Sequence, residues 1–586
     1  MSAVNGLQGQ VKAPASNTKL PGSHSLPTVA LPTCNLKELA DPEKVALEWI
    51  ESFNKLLNSG LESFNLSDAF HESAHWRDLL CLSWDFHTLQ GCDKITGFAK
   101  DFIAKSRTVK FTLDQSAAYK KPTLIPMDFD GTVKCLQAWL DVETDFGRGR
   151  GIVKLVPDHS EWKAFTLFTT LEELKGHEEF IKERRPAGVK DGQDHGGANW
   201  KDKRVAEQNF EDGREPVVLI LGAGQGGLTL AARLKQLGVS TLIIDRNDRV
   251  GDNWRNRYHQ LVLHDSVWYD HMPYLSFPPN WPMFTPKDKL AEWFEYYAMA
   301  MELNIWTNTT LSKSTWSDKD GKWTVNLERG DQKRTFHPRH IVLATGHSGE
   351  PSLPDIKGIQ DFQGDLSHSS AFDGPKPNSK GKKAVVVGSC NSGHDIARDY
   401  YEHGYDVTMV QRSSTLVLNC QTIIDVTMKG LYSEDGPPTE DADLLAYSLP
   451  NPIAKTIHAQ STREMLRRDA PLLNKLTEAG FKLDSGPDEA GLWIKYLSRG
   501  GGYYIGTSSL LANQAINLAR GSVSHLTPHH IHLSGTSLPA DEIVFATGYL
   551  NMRDSARKIF GDELADRVGD VWGFDEEGEV RVCTTG

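Results

Sequence analysis

The feature that most constrains this chain is a strand, a glycine turn and a helix in immediate succession. Val217 to Leu221 is an aliphatic run, Gly222-Ala223-Gly224-Gln225-Gly226-Gly227 follows, and Leu230, Leu234 and Leu237 then share one helical face before Gly238. Gly222 permits a tight turn, Gly224 lets backbone approach a pyrophosphate, and Gly227 lets helix and strand pack closely; with Gly226 they make a turn that delivers the N–H groups of a helix start to an anion. The next strand, Thr241 to Ile244, ends at Asp245, 18 residues after Gly227, where a carboxylate accepts hydrogen bonds from a ribose diol. A glycine turn serving packing alone would need neither that strand nor that acid.

A second copy follows. Ala384 to Val387 runs into Gly388-Ser389-Cys390-Asn391-Ser392-Gly393, then a helix, Gly404 and a strand from Asp406 to Val410. Cysteine replaces the middle glycine, so a side chain stands where a pyrophosphate would touch backbone. Nineteen residues after Gly393 the chain has Arg412, Ser413 and Ser414 where an acid would hold a free ribose. A carboxylate there would repel the extra phosphate of NADPH, whereas a guanidinium and hydroxyls bind it by charge-assisted hydrogen bonds. The expected cofactor residues of this half are Gly388, Asn391, Ser392, Gly393, Arg412 and Ser413. A solvated surface arginine is the plainer alternative.

Two such units imply an α/β fold with two dinucleotide-binding (Rossmann-like) domains, in which one cofactor reduces the other. At 586 residues the chain is too long for one core. The net charge of -13 comes from interspersed acids with no basic stripe, which argues against nucleic acid as a partner. The aliphatic runs are strand-sized, so no stable membrane insertion is expected, and homodimerisation stays open. Seven scattered cysteines form no CxxC, which argues against a disulfide framework, a metal site or a reactive pair beside a flavin, and makes dioxygen the natural electron acceptor. With no secretory signal or transit peptide in the Ser-, Pro- and Gly-rich start, a cytoplasmic protein with a disordered tail over 1–33 is expected.

Upstream, Asp41-Pro42 is a helix start, and Ala46, Trp49, Ile50, Phe53 and Leu57 repeat at helical spacing. Leu136, Ala138, Leu140 and Val142 alternate as in a half-buried strand, and Gly147 to Gly151 reads as a turn. A small α+β domain over 34–181 is expected. The charged, Gly-rich stretch 182–214 reads as a linker across which few contacts pass, followed by a first dinucleotide-binding domain over 215–375, NADPH-binding residues 376–515 and a segment over 516–586 that returns to the first.

Several segments together resemble the flavin-containing monooxygenase family, over about 370 residues. Phe362-Gln363-Gly364-Asp365-Leu366-Ser367-His368-Ser369-Ser370-Ala371-Phe372 fits its fingerprint FxGxxxHxxx(Y/F), just before the second glycine turn. Gly251-Asp252-Asn253-Trp254-Arg255 resembles the segment after the flavin-ribose strand, and Ala344-Thr345-Gly346 and Phe545-Ala546-Thr547-Gly548-Tyr549 match its strand ends. The related Baeyer-Villiger enzymes carry tryptophan where this chain has Phe372, although Asp373 suits them too. The resemblance implies FAD and NADPH as cofactors, with FAD in the domain over 215–375 and its return segment, Asn253, Trp254, Thr345, Gly346, Thr547 and Gly548 at the cofactor site, and His368 organising the NADPH domain. It also implies dioxygen and a small-molecule substrate, oxygenated at nitrogen or sulfur through a flavin hydroperoxide, or at a carbonyl in the Baeyer-Villiger alternative. An NADPH oxidase or a non-catalytic flavin-binding protein is a further alternative. The early domain resembles the cone-shaped nuclear-transport-factor-like fold, with the histidines between His71 and His87 read as structural. Only 38 residues follow Gly548, fewer than the resemblance leads one to expect, and weaker FAD retention is the corresponding expectation.

Overall fold

The structure, a computed structural model, describes residues 23–33, 38–59, 64–105, 107–188, 196–211, 213–347, 349–506 and 508–581. Residues 1–22 of the expected tail, Cys34 and the final residues 582–586 lie outside them.

The first unit begins with α1 (Pro42–Leu57), capped as the sequence dictates: the Asp41 carboxylate accepts from Lys44 N–H at 3.0 Å, and Ala46, Trp49, Ile50, Phe53 and Leu57 are its buried residues. Then come β1 (Phe70–Leu79), β2 (Phe86–Gln90), α2 (Cys92–Ala104), β3 (Val109–Leu113), β4 (Thr123–Pro126), β5 (Lys134–Thr144), β6 (Gly147–Asp158) and β7 (Glu161–Leu174). They form one sheet in the order β2-β1-β7-β6-β5-β3, with β4 also on β5; β1 and β7 run parallel and the remaining pairs antiparallel. Both helices share a core with Leu136, Ala138, Leu140 and Val142. The space between is packed with rings: Phe53 lies 5.6 Å from Phe70, 6.0 Å from Trp76 and 5.0 Å from Phe111. The stretch Gly147 to Gly151, read as a turn, is instead the start of β6. A Cβ on Gly149 would come within 2.3 Å of the Thr170 carbonyl, so these glycines admit close strand packing.

The segment read as a linker contains α3 (Trp200–Asn209), with a reciprocal capping box between Asn199 and Asp202. Its buried Arg204 donates to the carbonyl of Leu303 at 2.5 Å and the side-chain oxygen of Asn304 at 2.6 Å. Composition missed this helix because its attachment is polar rather than apolar.

The first dinucleotide unit comprises β8 (Val218–Leu221), α4 (Gln225–Gln236), β9 (Thr241–Ile244), α5 (Asp252–Arg255), α6 (Lys287–Ala300), β10 (Ile305–Trp306), β11 (Thr309–Ser317), β12 (Lys322–Arg329), β13 (Gln332–Phe336) and β14 (His340–Leu343). Its parallel sheet has the order β10-β9-β8-β14, and β11-β12-β13 form an antiparallel sheet. The second unit holds β15 (Asp365–His368), β16 (Lys383–Val387), α7 (Asn391–Glu402), β17 (Asp406–Gln411) and β18 (Leu416–Leu418). A helical insertion follows: α8 (Cys420–Ile423), α9 (Thr439–Tyr447), α10 (Asn451–Arg468), α11 (Ala470–Glu478) and α12 (Gly491–Arg499). After it come β19 (Tyr503–Ile505), α13 (Ser509–Ala512), β20 (Asn517–Arg520), β21 (Val523–Thr527), β22 (His530–Leu533), β23 (Thr536–Pro539), β24 (Glu542–Phe545), α14 (Met552–Phe560) and α15 (Asp562–Arg567).

The second parallel sheet has the order β15-β24-β16-β17-β20. Strand β24 pairs with both β15 and β16, so the stretch from 516, expected to return to the first unit, stays with the second through Phe545; α14 then brings Ile559 and Phe560 onto the core of the first. Likewise β15, placed before the boundary at 375, belongs to the second sheet. A short apolar strand does not declare which sheet it joins.

The amino-terminal unit is docked rather than tethered. Arg150 and Tyr119 both bond the Asp441 carboxylate on α9, Lys154 donates to Ser448 Oγ at 3.2 Å, and Ile453 of α10 shares a core with Met127, Val156 and Phe165. Residues 23–33, expected in a disordered tail, are seated here as well. Val29 joins that core, Leu26 packs on α12, and Lys455 donates to the Leu26 carbonyl at 2.7 Å. Leu26, Val29 and Leu31, irregularly spaced, are what the Pro- and Ser-rich composition concealed.

Candidate dinucleotide-binding site

At the first glycine turn the backbone leaves β8 with Gly222 at φ +112°, and a Cβ there would lie 2.3 Å from the Ala344 carbonyl. A Cβ on Gly227 would stand 2.0 Å from the Gly222 carbonyl, while one on Gly226 would meet nothing within 4 Å. Gly222 and Gly227 therefore answer to the protein's own packing, and Gly226 faces open space. Gly224 is the N-cap of α4, makes no side-chain cap, and lies against the exposed Asn253, whose Nδ2 would be 3.3 Å from an added Cβ. The first N–H groups of α4 are thus left for an anion. Asp245 steadies the turn: one carboxylate oxygen accepts from Ala223 N–H at 2.7 Å and the other from Asn247 N–H at 2.8 Å, which leaves lone pairs on both for a diol.

The second turn repeats the arrangement. Gly388, at φ +129°, would place a Cβ 2.2 Å from the Ala546 carbonyl, and Gly393 one 2.3 Å from the Gly388 carbonyl. Cys390 is the N-cap of α7 and makes no side-chain cap. Its thiol is pushed up by burial, against the nearby cations Arg499 and Lys495. Asn391 accepts from Ile505 N–H at 3.0 Å. Arg412 follows the end of β17 and is exposed, with Ser413 half-buried beside it.

The strand-end pairs sit where the chain crosses between units. Thr345 and Gly346 are exposed just beyond β14, with Gly346 at φ +100°. Thr547 donates to the Ser352 carbonyl at 2.5 Å, and the Gly548 carbonyl accepts from Ser352 N–H at 2.9 Å. His368, on β15, is buried, and its pKa is lowered to about 4 by desolvation. Its Nε2 stands 3.0 Å from the Gly548 carbonyl and so carries the proton, while Nδ1 accepts from Ser370 N–H at 3.1 Å. A neutral imidazole bonded at both nitrogens ties β15 to the Gly548 crossing.

Between the two turns runs the loop after α5. Trp254 packs against the apolar cores of both dinucleotide units. Its Nε1, and Nε of Arg257, are buried with no hydrogen-bond partner among the described residues. Tyr258 donates to Asp395 of α7 at 2.7 Å, and His264 Nε2 lies 3.3 Å from the same carboxylate while Nδ1 meets the Ile505 carbonyl at 2.8 Å. Burial works against the imidazolium, yet Asp395 and Cys420 outweigh it and push the His264 pKa up to about 10. The sequence reading missed Arg257, Tyr258, His264 and Asp395. Arg257, three residues after Trp254, had a positional signal, whereas His264 and Asp395 meet only through the fold.

Residues 219–427, which hold both glycine turns, match the family described as Pyridine nucleotide-disulphide oxidoreductase. Indole-3-pyruvate monooxygenase YUCCA1 of Oryza sativa subsp. japonica is 34% identical over 204 residues, covering 35% of this chain and 49% of that protein. Probable indole-3-pyruvate monooxygenase YUCCA10 of Arabidopsis thaliana is 26% identical over 339 residues, 57% of this chain and 82% of its own. Among solved structures, OTEMO in complex with FAD and NADP aligns over 59% of this chain and 73% of that one, with 19% identity and a TM-score of 0.44. The chain thus spans about half the length of the first of the curated relatives it matches, 49%.

Proposed function

We propose that this chain is an FAD- and NADPH-dependent monooxygenase that inserts one atom of dioxygen into a small organic substrate. The observation that carries the reading is the pair of uncapped helix starts, α4 and α7, each behind a glycine turn whose outer glycines are held by close packing against backbone carbonyls. Anions such as a dinucleotide pyrophosphate fit such helix starts. The similarity to named monooxygenases supports it.

In this reading Gly222, Gly224, Gly226, Gly227, Asp245 and Asn253 hold the FAD pyrophosphate and ribose, and Trp254, Thr345, Gly346, Thr547 and Gly548 border its ring. Gly388, Asn391, Ser392 and Gly393 receive the NADPH pyrophosphate, with Arg412 and Ser413 at the 2′-phosphate. When bound, FAD supplies hydride acceptance from NADPH and the reaction with dioxygen. The chain's own part is to orient the cofactors and exclude water, which accounts for a neutral, doubly bonded His368 in place of an acid-base group. We read the amino-terminal unit, with two helices packed on one mostly antiparallel sheet, as a nuclear-transport-factor-like domain and assign it no chemistry of its own.

Amines and sulfides are the first substrate class, consistent with Phe372 at the fingerprint end. A carbonyl substrate is the second reading, supported by relatives named for indole-3-pyruvate, a 2-oxo acid. Mass spectrometry of products formed under heavy dioxygen from amines, sulfides and oxo compounds separates the two. Quantitative peroxide release with every compound would instead identify an oxidase.

A further inference from the structure

Residues 571–581 form a hairpin with different anchors at its two ends. Phe574 pairs with Val580, and Asp575 accepts from Glu577 N–H and Glu579 N–H, each at 2.9 Å. At the tip, Arg77 of β1 grips Glu579 with Nε to Oε1 at 2.7 Å and Nη2 to Oε2 at 2.6 Å, both side chains being less than a tenth exposed. Thr88 Oγ1 donates to Glu579 at 2.5 Å, while Glu577 accepts from Thr88 N–H at 2.9 Å and meets His87 Nδ1 at 3.1 Å.

At the base stands Trp572. Its ring is 4.8 Å from Tyr496 of α12 and 6.4 Å from His347, the residue after Gly346 at the first crossing. Its backbone is left-handed, φ +74°, a conformation that a bulky residue keeps only when its surroundings hold it. Those surroundings are visible: Arg581 donates twice to the Trp572 carbonyl, at 3.0 and 2.9 Å, and Gly573 N–H bonds the Leu497 carbonyl at 2.9 Å. Gly500 leaves room for the indole, since a Cβ there would be 2.8 Å from Trp572 Nε1.

We infer that Trp572 is a wall of the oxygenation site and that the amino-terminal unit holds it there through the hairpin, Arg77 being a positioning residue. The inference rests on the monooxygenase reading. A wall that shifts lets water in, and the two electrons and proton of NADPH, with one proton from solvent, then reduce dioxygen to hydrogen peroxide, whereas in the coupled reaction they reduce one oxygen atom to water while the substrate gives up two electrons to take the other.

The test uses the full chain carrying Arg77→Met with Glu579→Gln, because Arg77→Met alone would bury an unpaired carboxylate and risk misfolding. Hydrogen exchange over residues 571–581 should accelerate about 10- to 100-fold on loss of the charge-assisted bonds, with 134–174 staying protected. Trp572→Ala should leave exchange at Arg77 and Thr88 unchanged, and both variants should divert a larger share of NADPH electrons to peroxide. Unchanged exchange in the double variant, or Trp572→Ala coupling equal to that of the unaltered chain, overturns the inference. If the unaltered chain neither binds FAD nor oxidises NADPH, the functional reading fails, and the exchange result alone decides whether the amino-terminal unit holds the hairpin.

Discussion

His264, from the first dinucleotide unit, and Asp395, on the first helix of the second, form an ion pair at 3.3 Å across the boundary between the units. Because the folded state raises the His264 pKa from 6.5 to about 10, it binds a proton that the unfolded chain has lost. The pair's contribution is complete below about pH 6.5, declines as pH rises, and is gone above about 10. Asp395→Asn should lower stability at pH 7 by about 1–3 kcal/mol and flatten that pH dependence, as measured by denaturant melts from pH 6 to 10. A variant with the same slope as the parent would show that another group titrates there.

Arg412→Ala should weaken apparent NADPH affinity about 10- to 100-fold, the worth of a charge-assisted phosphate contact, and leave NADH nearly unchanged. Steady-state kinetics with both cofactors decide it. Equal losses would move the 2′-phosphate site elsewhere.

The glycines of the first turn should separate by their surroundings. Gly227→Ala forces a Cβ to 2.0 Å from a backbone oxygen and should abolish FAD retention, whereas Gly226→Ala meets nothing within 4 Å of the protein. Flavin content after purification is the readout, with Gly226→Ala reporting how closely the cofactor itself approaches.

Removal of residues 1–200 should yield an insoluble or flavin-poor protein. The cut would expose the apolar surface around Ile453 and Leu26's seat on α12 and would strip Arg77 and Arg150 from buried acids. A soluble, yellow truncated chain would show that these contacts are dispensable.

What could be read from the residues followed periodicity and turn chemistry. Both strand-glycine-helix units, the buried face of α1 and the alternation in β5 lie within a few residues of the expected places, because a glycine with positive φ or an apolar stripe is a local requirement. What could not be read depended on partners distant in the chain. Arg204 looked like part of a charged linker until Leu303 and Asn304 were found beneath it. Glu542 opens a strand of the second sheet, yet nothing in its own sequence neighbourhood marks the two tyrosines, Tyr400 and Tyr405, that bond its carboxylate at 2.9 and 2.8 Å. The candidate site divides the same way: its glycines and Asp245 were legible, while the His264–Asp395 pair was not.

The amino-terminal unit touches both of its neighbours. On one side Glu179 bonds Tyr274 and Arg233 of the first dinucleotide unit, and Phe180 N–H bonds the Gln236 carbonyl at 2.7 Å. On the other, Asp441 and Glu579 receive Arg150 and Arg77. Two bodies joined along one seam can swing like a door, but three bodies in mutual contact make a triangle, which has no free angle. Any rotation between the dinucleotide units must therefore detach one leg of that triangle, so large-amplitude opening becomes a slow, activated event and the everyday motion of the site is left to its loops.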